Sequence, residues 1–266
     1  MDLPGPAGPG VAAQVFVADL EELDLDPADA HHLGHVLRLR PGETVVAADG
    51  LGGWRLCRVV AATERGGLGP TRIEAVGALQ HVPAPAPQVT VAFVPVKGSR
   101  PEWAVQKLTE AGVDRIVVLG SARAVVRWEG RRLEAALERL GRVAREAAAQ
   151  CRRPRLPRLE AAHDLGDLAR ALAPVPLALA HPGGGGPSLA TPALAVGPEG
   201  GWDPAEVAAG YRTVTLGPHV LRAETAAVAA GLLLCSLRAG VVAASPGRGP
   251  EPPGVGEDGG FLQSPR

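Results

Sequence analysis

Aromatic residues make up only 3% of the 266 residues, and methionine occurs once. A core must therefore be assembled from Ala, Val and Leu, which a hydrophobic content of 46% supplies. Cysteine is equally scarce: Cys57, Cys151 and Cys235 stand far apart with no CxxC pair. That spacing excludes a disulfide framework and a thiolate zinc site, and it fits a reducing compartment, so the cytoplasm is the expected location. No uninterrupted apolar run approaches the ~20 residues needed to cross a bilayer. The start, MDLPGPAGPG, has neither the basic residues nor the apolar stretch of a secretory signal, and no membrane association is expected. GxxxxGKS/T is missing, which argues against a P-loop, and no GxGxxG follows the first strand of the α/β pattern described below. GxSxG is missing too, which weakens a hydrolase reading.

Charge is present but unevenly placed. The net charge is −1, yet residues 1–30 carry seven acids and no bases, while residues 97–158 carry 15 Lys and Arg against 7 Asp and Glu. A basic segment in a near-neutral chain suits a polyanion, and equally a set of solvated helix faces. His31 and His35 share a helix face, but no third ligand follows at sensible spacing, so no metal site is expected. Cys151 lies beside Arg152 and Arg153, whose charge would lower its pKa; a structural role is nevertheless expected for it.

Residues 1–13 and 245–266 are rich in Gly, Pro and small residues and are expected to be disordered tails. PAPAP at 83–87 reads as a stiff linker, placed at 83–88. It separates an N-terminal unit, 14–82, from a larger one, 89–244. The first is expected to be a small β-barrel, with strands at 14–17, 44–49, 54–61 and 71–78 and a helix at 29–38. The second alternates strands at 89–94, 115–119, 177–180, 193–197 and 213–216 with helices at 101–111, 131–150, 165–172, 204–210 and 223–238. Strand–helix alternation predicts an α/β fold with a mostly parallel sheet. Gly183–Gly186 is read as flexible loop.

Two segments leave strands of that unit through glycine turns into helices. One is GPEGGW (197–202), followed by Asp203 as cap and Pro204 in the first turn. The other is LGPHVLRAET (216–225). Strand carboxyl ends are where ligands bind in open α/β sheets, and glycine lets backbone groups approach a ligand without an intervening Cβ; generic strand-to-helix turns also use glycine. A third segment, KGSRPEW (97–103), puts cations beyond the first strand.

Taken with HHLGHVLRLRPGE (31–43), SARAVVRW (121–128) and REAAAQCRR (145–153), these segments resemble the ribosomal RNA small subunit methyltransferase E family, from about residue 15 to 239. The sequence departs from that pattern at Gly34, Ser99, Ala122, Ala149, Cys151, Arg152, His219 and Ala223. The resemblance implies a PUA-like N-terminal domain, a SPOUT domain with a deep trefoil knot, and a homodimer. It implies S-adenosylmethionine as cofactor, held by His181, Val196, Gly197, Pro198, Glu199, Gly200, Gly201, Leu216, Gly217, Val220, Leu221 and Thr225. The reaction implied is methylation of uridine N3 in small-subunit ribosomal RNA or the assembled small subunit. Arg222 is expected to stabilise the developing anion, with Glu224 orienting it. Arg38, Arg40, Lys97, Arg100, Lys107, Arg123, Arg127, Arg145 and Arg153 are expected to hold RNA. A ribose 2′-O-methyltransferase and a non-enzymatic RNA-binding protein remain open as alternatives.

Overall fold

A computed structural model of the chain describes residues 6, 8, 10–60, 63–64, 67–68 and 71–243. The expected tail at 245–266 lies outside them. In the N-terminal unit, β1 (Val11–Phe16) leads through a loop to the short helix α1 (Pro27–His31), capped by the Asp26 side chain, which accepts from Asp29 N. The chain continues through a π-type turn at His32–Val36, in which Leu37 N bonds back five residues to His32 O. Arg38 then takes a left-handed φ of 56°. The helix expected at 29–38 is thus broken in two. β2 (Thr44–Ala48) and β3 (Gly53–Val60) follow, then the two-residue strands β4 (Thr63–Glu64) and β5 (Gly67–Leu68), then β6 (Arg72–Ala75) and β7 (Gln80–His81). β1 pairs in parallel with β2; β2–β3, β3–β6 and β3–β7 are antiparallel. Strand pairing therefore reaches Val11, inside the expected tail, and Arg152 Nη2 secures that end by donating to Val11 O at 3.0 Å.

The larger unit is one six-stranded sheet built from β8 (Thr90–Phe93), β9 (Arg115–Leu119), β10 (Arg158–Ala162), β11 (Leu177–Gly185), β12 (Ala193–Val196) and β13 (Arg212–Val214). Its order is β10-β9-β8-β12-β11-β13, and every ladder is parallel. All six strands therefore end at one edge. Three helices cover one face: α2 (Arg100–Ala111), α3 (Gly130–Gln150) and α6 (Ala223–Arg238). Leu108, Leu140 and Leu234 from these helices meet Ile116 and Leu194 from the sheet, each without measurable exposure. Burying a side chain of that size contributes about 1.5–3 kcal/mol. On the other face α4 (Leu165–Leu172) packs Leu165, Leu168 and Leu172 against Leu119, Leu177 and Leu179, and the short α5 (Pro204–Ala208) adds Val207.

β10 was not expected, because Arg158 and Glu160 break its apolar pattern. It is an edge strand, where the Glu160 carboxylate accepts from Arg115 Nε of the neighbouring strand at 2.8 Å, and edge strands carry such charges readily. The polyglycine run is also not a loop. β11 extends through it to pair Gly185 with Val214, and a Cβ on Gly184 would lie 2.5 Å from Val214 N. Its glycine permits close approach of two backbones.

The two units meet through α3 and β1. Ala148 on α3 packs against Phe16 of β1 and Ala48 of β2, where a small residue lets the strand approach. Gln14 Nε2 donates to Arg153 O at 2.9 Å, and Arg145 Nη2 donates to Phe16 O at 2.8 Å and to Asp29 at 2.7 Å.

Candidate active site

The exits of β12, β11 and β13 lie side by side, and they carry the expected cofactor residues. After buried Val196, the loop turns on a bond from Gly201 N to Pro198 O at 2.8 Å, with Gly201 at φ 71°. Trp202 then folds back. Its ring lies against Gly197, where a Cβ would meet it at 3.0 Å, and its Nε1 donates to Ala180 O at 3.0 Å, tying the loop to β11. Asp203 and Glu206 form a capping box on α5. His181, expected just past a strand end, lies within β11, its Nδ1 2.7 Å from Pro182 O. On the third exit Thr215 Oγ1 donates to Gly217 O at 3.0 Å, Leu216 and Leu221 pack on the main core, and Val220 projects with 88% exposure. A Cβ built on Gly200, Gly201 or Gly217 would meet no atom within 4 Å. The edge is an open cradle.

Arg222 caps α6 and is exposed; its carbonyl accepts from Ala226 N at 2.8 Å, but among the described residues its side chain has no hydrogen-bond or ion-pair partner. Glu224 does not orient it. The Glu224 side chain is only 11% exposed, and its Oε1 lies 3.6 Å from Arg100 Nε. Arg100 also donates through Nη1 to Glu199 Oε1 at 2.9 Å. One guanidinium therefore bridges the 197–202 loop and the first turn of α6. The second Glu224 oxygen, Oε2, is buried without a hydrogen-bond partner. A buried carboxylate oxygen left unpaired costs free energy until something donates to it or places positive charge beside it.

The cations expected at RNA separate into groups. Arg153 is half-buried and committed to Asp114 Oδ1 at 3.3 Å and Thr109 O at 3.1 Å. Asp114 also holds Arg238 and accepts from Val89 N. Arg145 is occupied by Phe16, Asp26 and Asp29. These two are structural, a correction to the expectation, because their guanidiniums are spent on the contact between units and on a buried acid. Lys107 pairs with Glu110 at 2.8 Å. Arg123 braces the loop, with Nη1 3.3 Å from Gly200 O and Nε 3.4 Å from Asp203. Arg38, Arg40, Lys97 and Arg127 are exposed and carry no ion pair among the described residues.

Sequence reasoning missed the bracing role of Arg100 and Arg123, which lie 99 and 77 positions from the groups they hold. It also missed Glu206, which bonds Ser121 Oγ and Ala122 N at 3.2 Å each; the Asp203-x-x-Glu206 spacing of a capping box was the available signal. The three thiols lie away from the strand exits, in the cores and at the end of α3. Burial pushes the Cys57 and Cys151 thiols up, against the lowering expected for Cys151 from its arginine neighbours, and pushes Cys235 up to about 11.

Comparison with known proteins places the chain. A family model described as an RNA methyltransferase domain matches residues 83–234, and one described as an RNA methyltransferase PUA domain matches residues 25–68. The chain is 35% identical over 229 residues to ribosomal RNA small subunit methyltransferase E of Mycobacterium bovis, covering 77% of this chain and 83% of the relative. It is 34% identical over 219 residues to the protein of that name from Synechocystis, covering 76% and 69%. Among solved structures, a probable rRNA-methyltransferase from Porphyromonas gingivalis superposes with TM-score 0.70 at 27% identity, covering 86% of this chain and all of that one. Ribosomal RNA small subunit methyltransferase E from Neisseria gonorrhoeae, bound to S-adenosyl methionine, gives TM-score 0.68 at 26% identity, covering 85% and 97%.

Proposed function

This chain belongs to the ribosomal RNA small subunit methyltransferase E family, and from that premise we propose that it methylates N3 of a uridine in small-subunit ribosomal RNA, in the cytoplasm, with S-adenosylmethionine as donor. One observation carries the reading: three adjacent strand exits form an open, glycine-lined cradle beside a buried, unpartnered carboxylate oxygen. That arrangement fits a ligand held largely by backbone groups and bearing positive charge. His181, Val196–Gly201, Leu216, Gly217, Val220, Leu221 and Thr225 would line the site, and Glu224 Oε2 would meet the ligand's charge. Once bound, the cofactor supplies an electrophilic methyl group on a sulfonium.

Uracil N3 carries a weakly acidic proton; the nitrogen would take the methyl as that proton passes to solvent, the sulfonium–methyl bond breaking to leave a neutral thioether. The ring then gathers negative charge, which a cation placed beside it stabilises. Arg222, unpaired and exposed at the start of α6, is assigned that role. Arg100 is a positioning residue, holding Glu199 and Glu224 in fixed relation. The target base must be unpaired or flipped, because the edges of a stacked duplex base are out of reach.

We read the PUA-like RNA-binding unit as extending from the start of β1 at Val11, rather than from 14, to 82, with 83–88 as linker and 89–244 as the methyltransferase unit. Insertion of β12 between β8 and β11 supports a trefoil knot. Leu232 is exposed on α6, beside half-buried Val228 and Ala229; this apolar stripe, with protruding Val220, supports a homodimer. Sedimentation velocity decides between twice the chain mass and the chain mass alone.

RNA is assigned to Arg38, Arg40, Lys97 and Arg127. Replacing Lys97 and Arg127 together by Gln is expected to flatten the salt dependence of RNA binding by about 1.5 in log–log slope, each lost phosphate contact removing about 0.7–0.9. Thermal stability should hardly change, since exposed cations contribute little to folding. Arg123 is left in place because it also holds Gly200. Filter binding across a salt series measures the slope; a slope equal to the parent's removes both cations from the RNA surface.

A further inference from the structure

The cofactor loops occupy only half of the sheet's carboxyl edge. The other half, formed by the exits of β8, β9 and β10, borders an open cavity of about 640 Å³. Its wall runs from Pro95 through Leu119–Ala122 to Ala161–Asp164, and is closed by Val126–Gly130, Leu133 and Glu206. The lining is mainly apolar; the half-buried Trp128 supplies its one indole, His163 an exposed imidazole, and Glu129, Asp164 and Glu206 its carboxylates, while the exposed cation Arg127 stands at its rim. Arg127 has one contact among the described residues, from Nη2 to Ala122 O at 3.5 Å.

We propose that this cavity receives the flipped acceptor nucleotide of the RNA, with its pyrimidine ring stacked on Trp128 and its phosphate met by Arg127. The inference rests on the RNA methyltransferase reading and deepens it by assigning the acceptor's place. Four features carry it. The volume lies within the range of pockets that hold small organic ligands, about 300–1,000 Å³. A flipped base needs a flat apolar surface, which an indole supplies, and single-stranded nucleic acid is commonly held by such stacking together with cations along the backbone. Trp128 is itself fixed, packing on the main core with the Arg139 guanidinium 5.9 Å from its ring centre.

The fourth feature is mechanical continuity with the cofactor loop. Glu206 lines the cavity and caps the helix that follows GPEGGW, while bonding Ser121 and Ala122 of the opposite wall. Arg123, from the same wall, donates to Gly200 O. The acceptor cavity and the cofactor cradle thus share a partition held by three side-chain contacts. Both open on the same sheet edge. A donor and an acceptor that must meet in line need such a fixed relation, since small misplacement costs rate heavily.

The test compares Trp128→Leu and Trp128→Phe with the parent, using radiolabelled S-adenosylmethionine and purified small ribosomal subunits. Trp128→Leu keeps an apolar side chain but removes the stacking plane; KM for subunits is expected to rise about tenfold or more, the loss of one base–aromatic stack. Affinity for S-adenosylmethionine by calorimetry should stay within about twofold of the parent, an outcome that a general loss of structure would not give. Trp128→Phe keeps a ring and should return most of the KM. Should Trp128→Leu fail to fold, Arg127→Glu is the second arm: the residue is exposed, and the same rise in KM is expected. Unchanged KM in both Trp128→Leu and Arg127→Glu overturns the assignment, as does Trp128→Phe behaving no better than a well-folded Trp128→Leu. A parent protein that binds S-adenosylmethionine but transfers no methyl to the subunits overturns the RNA methyltransferase reading instead, and the cavity's role with it.

Discussion

Gly200→Val is expected to fold like the parent and to lose S-adenosylmethionine affinity by about a hundredfold or more, the scale of overpacking a filled site by a branched side chain. The expectation follows from an asymmetry at this position. In the protein alone a Cβ on Gly200 meets no atom within 4 Å, so nothing in the fold resists the new side chain. The same open space is where the proposed ligand must approach the backbone between Glu199 and Gly201, and valine would fill it. Neighbouring glycines make poorer tests: Gly201 has φ 71°, and Gly197 faces the Trp202 ring at 3.0 Å, so a side chain at either would disturb the loop itself. Titration calorimetry measures the affinity, and a thermal melt within a few degrees of the parent establishes the fold. A well-folded Gly200→Val that binds like the parent removes the loop from the cofactor site.

Arg222→Ala is expected to lower the methyl-transfer rate by about a hundredfold or more, with S-adenosylmethionine affinity nearly unchanged. Arg222 is exposed and makes no ion pair among the described residues, so its removal should leave α6 in place. On the proposed role its contribution is confined to the charge that develops on the pyrimidine ring, and should be read in the rate at saturation rather than in binding. Arg222→Lys should recover part of the rate, because a point charge replaces a planar fork. Single-turnover kinetics with saturating subunits separate these outcomes. An unchanged rate in Arg222→Ala rejects the role. Glu224 is a different case: its partner is Arg100, so a substitution there should lower cofactor affinity as well as rate.

Much of this architecture was legible in the sequence where function and fold reside in short contiguous runs. GPEGGW and LGPHVLRAET announce themselves as glycine exits from apolar strands, and the structure does bring those exits together. The bounds of α4 and α6 and the span of β9 follow directly from hydrophobic pattern. What stayed hidden depends on partners far away in the chain. Arg153 reads as one more cation in a basic run; only the fold packs it against Asp114, 39 positions earlier. Arg100 and Arg123 read as phosphate contacts, but each is drawn to the 197–203 loop by oxygens that no local pattern identifies. β10 was missed because a strand protected on one side only can carry Arg158 and Glu160. The polyglycine segment was misread because flexibility and close backbone approach require the same residue, and only the pairing partner, Val214, distinguishes them.

The central claim is that this chain transfers a methyl group to N3 of one uridine in small-subunit ribosomal RNA. The direct measurement is to incubate the protein with isotopically labelled S-adenosylmethionine and small subunits lacking the modification, digest the RNA to nucleosides, and identify the labelled product by mass spectrometry against synthetic standards. The account predicts that the label is found in 3-methyluridine, at one position of the RNA. Label on a ribose 2′-oxygen, appearing whichever base occupies the site, would contradict it in favour of a ribose methyltransferase. RNA bound without any label transferred, in a protein that takes up no cofactor, would contradict the enzymatic reading altogether.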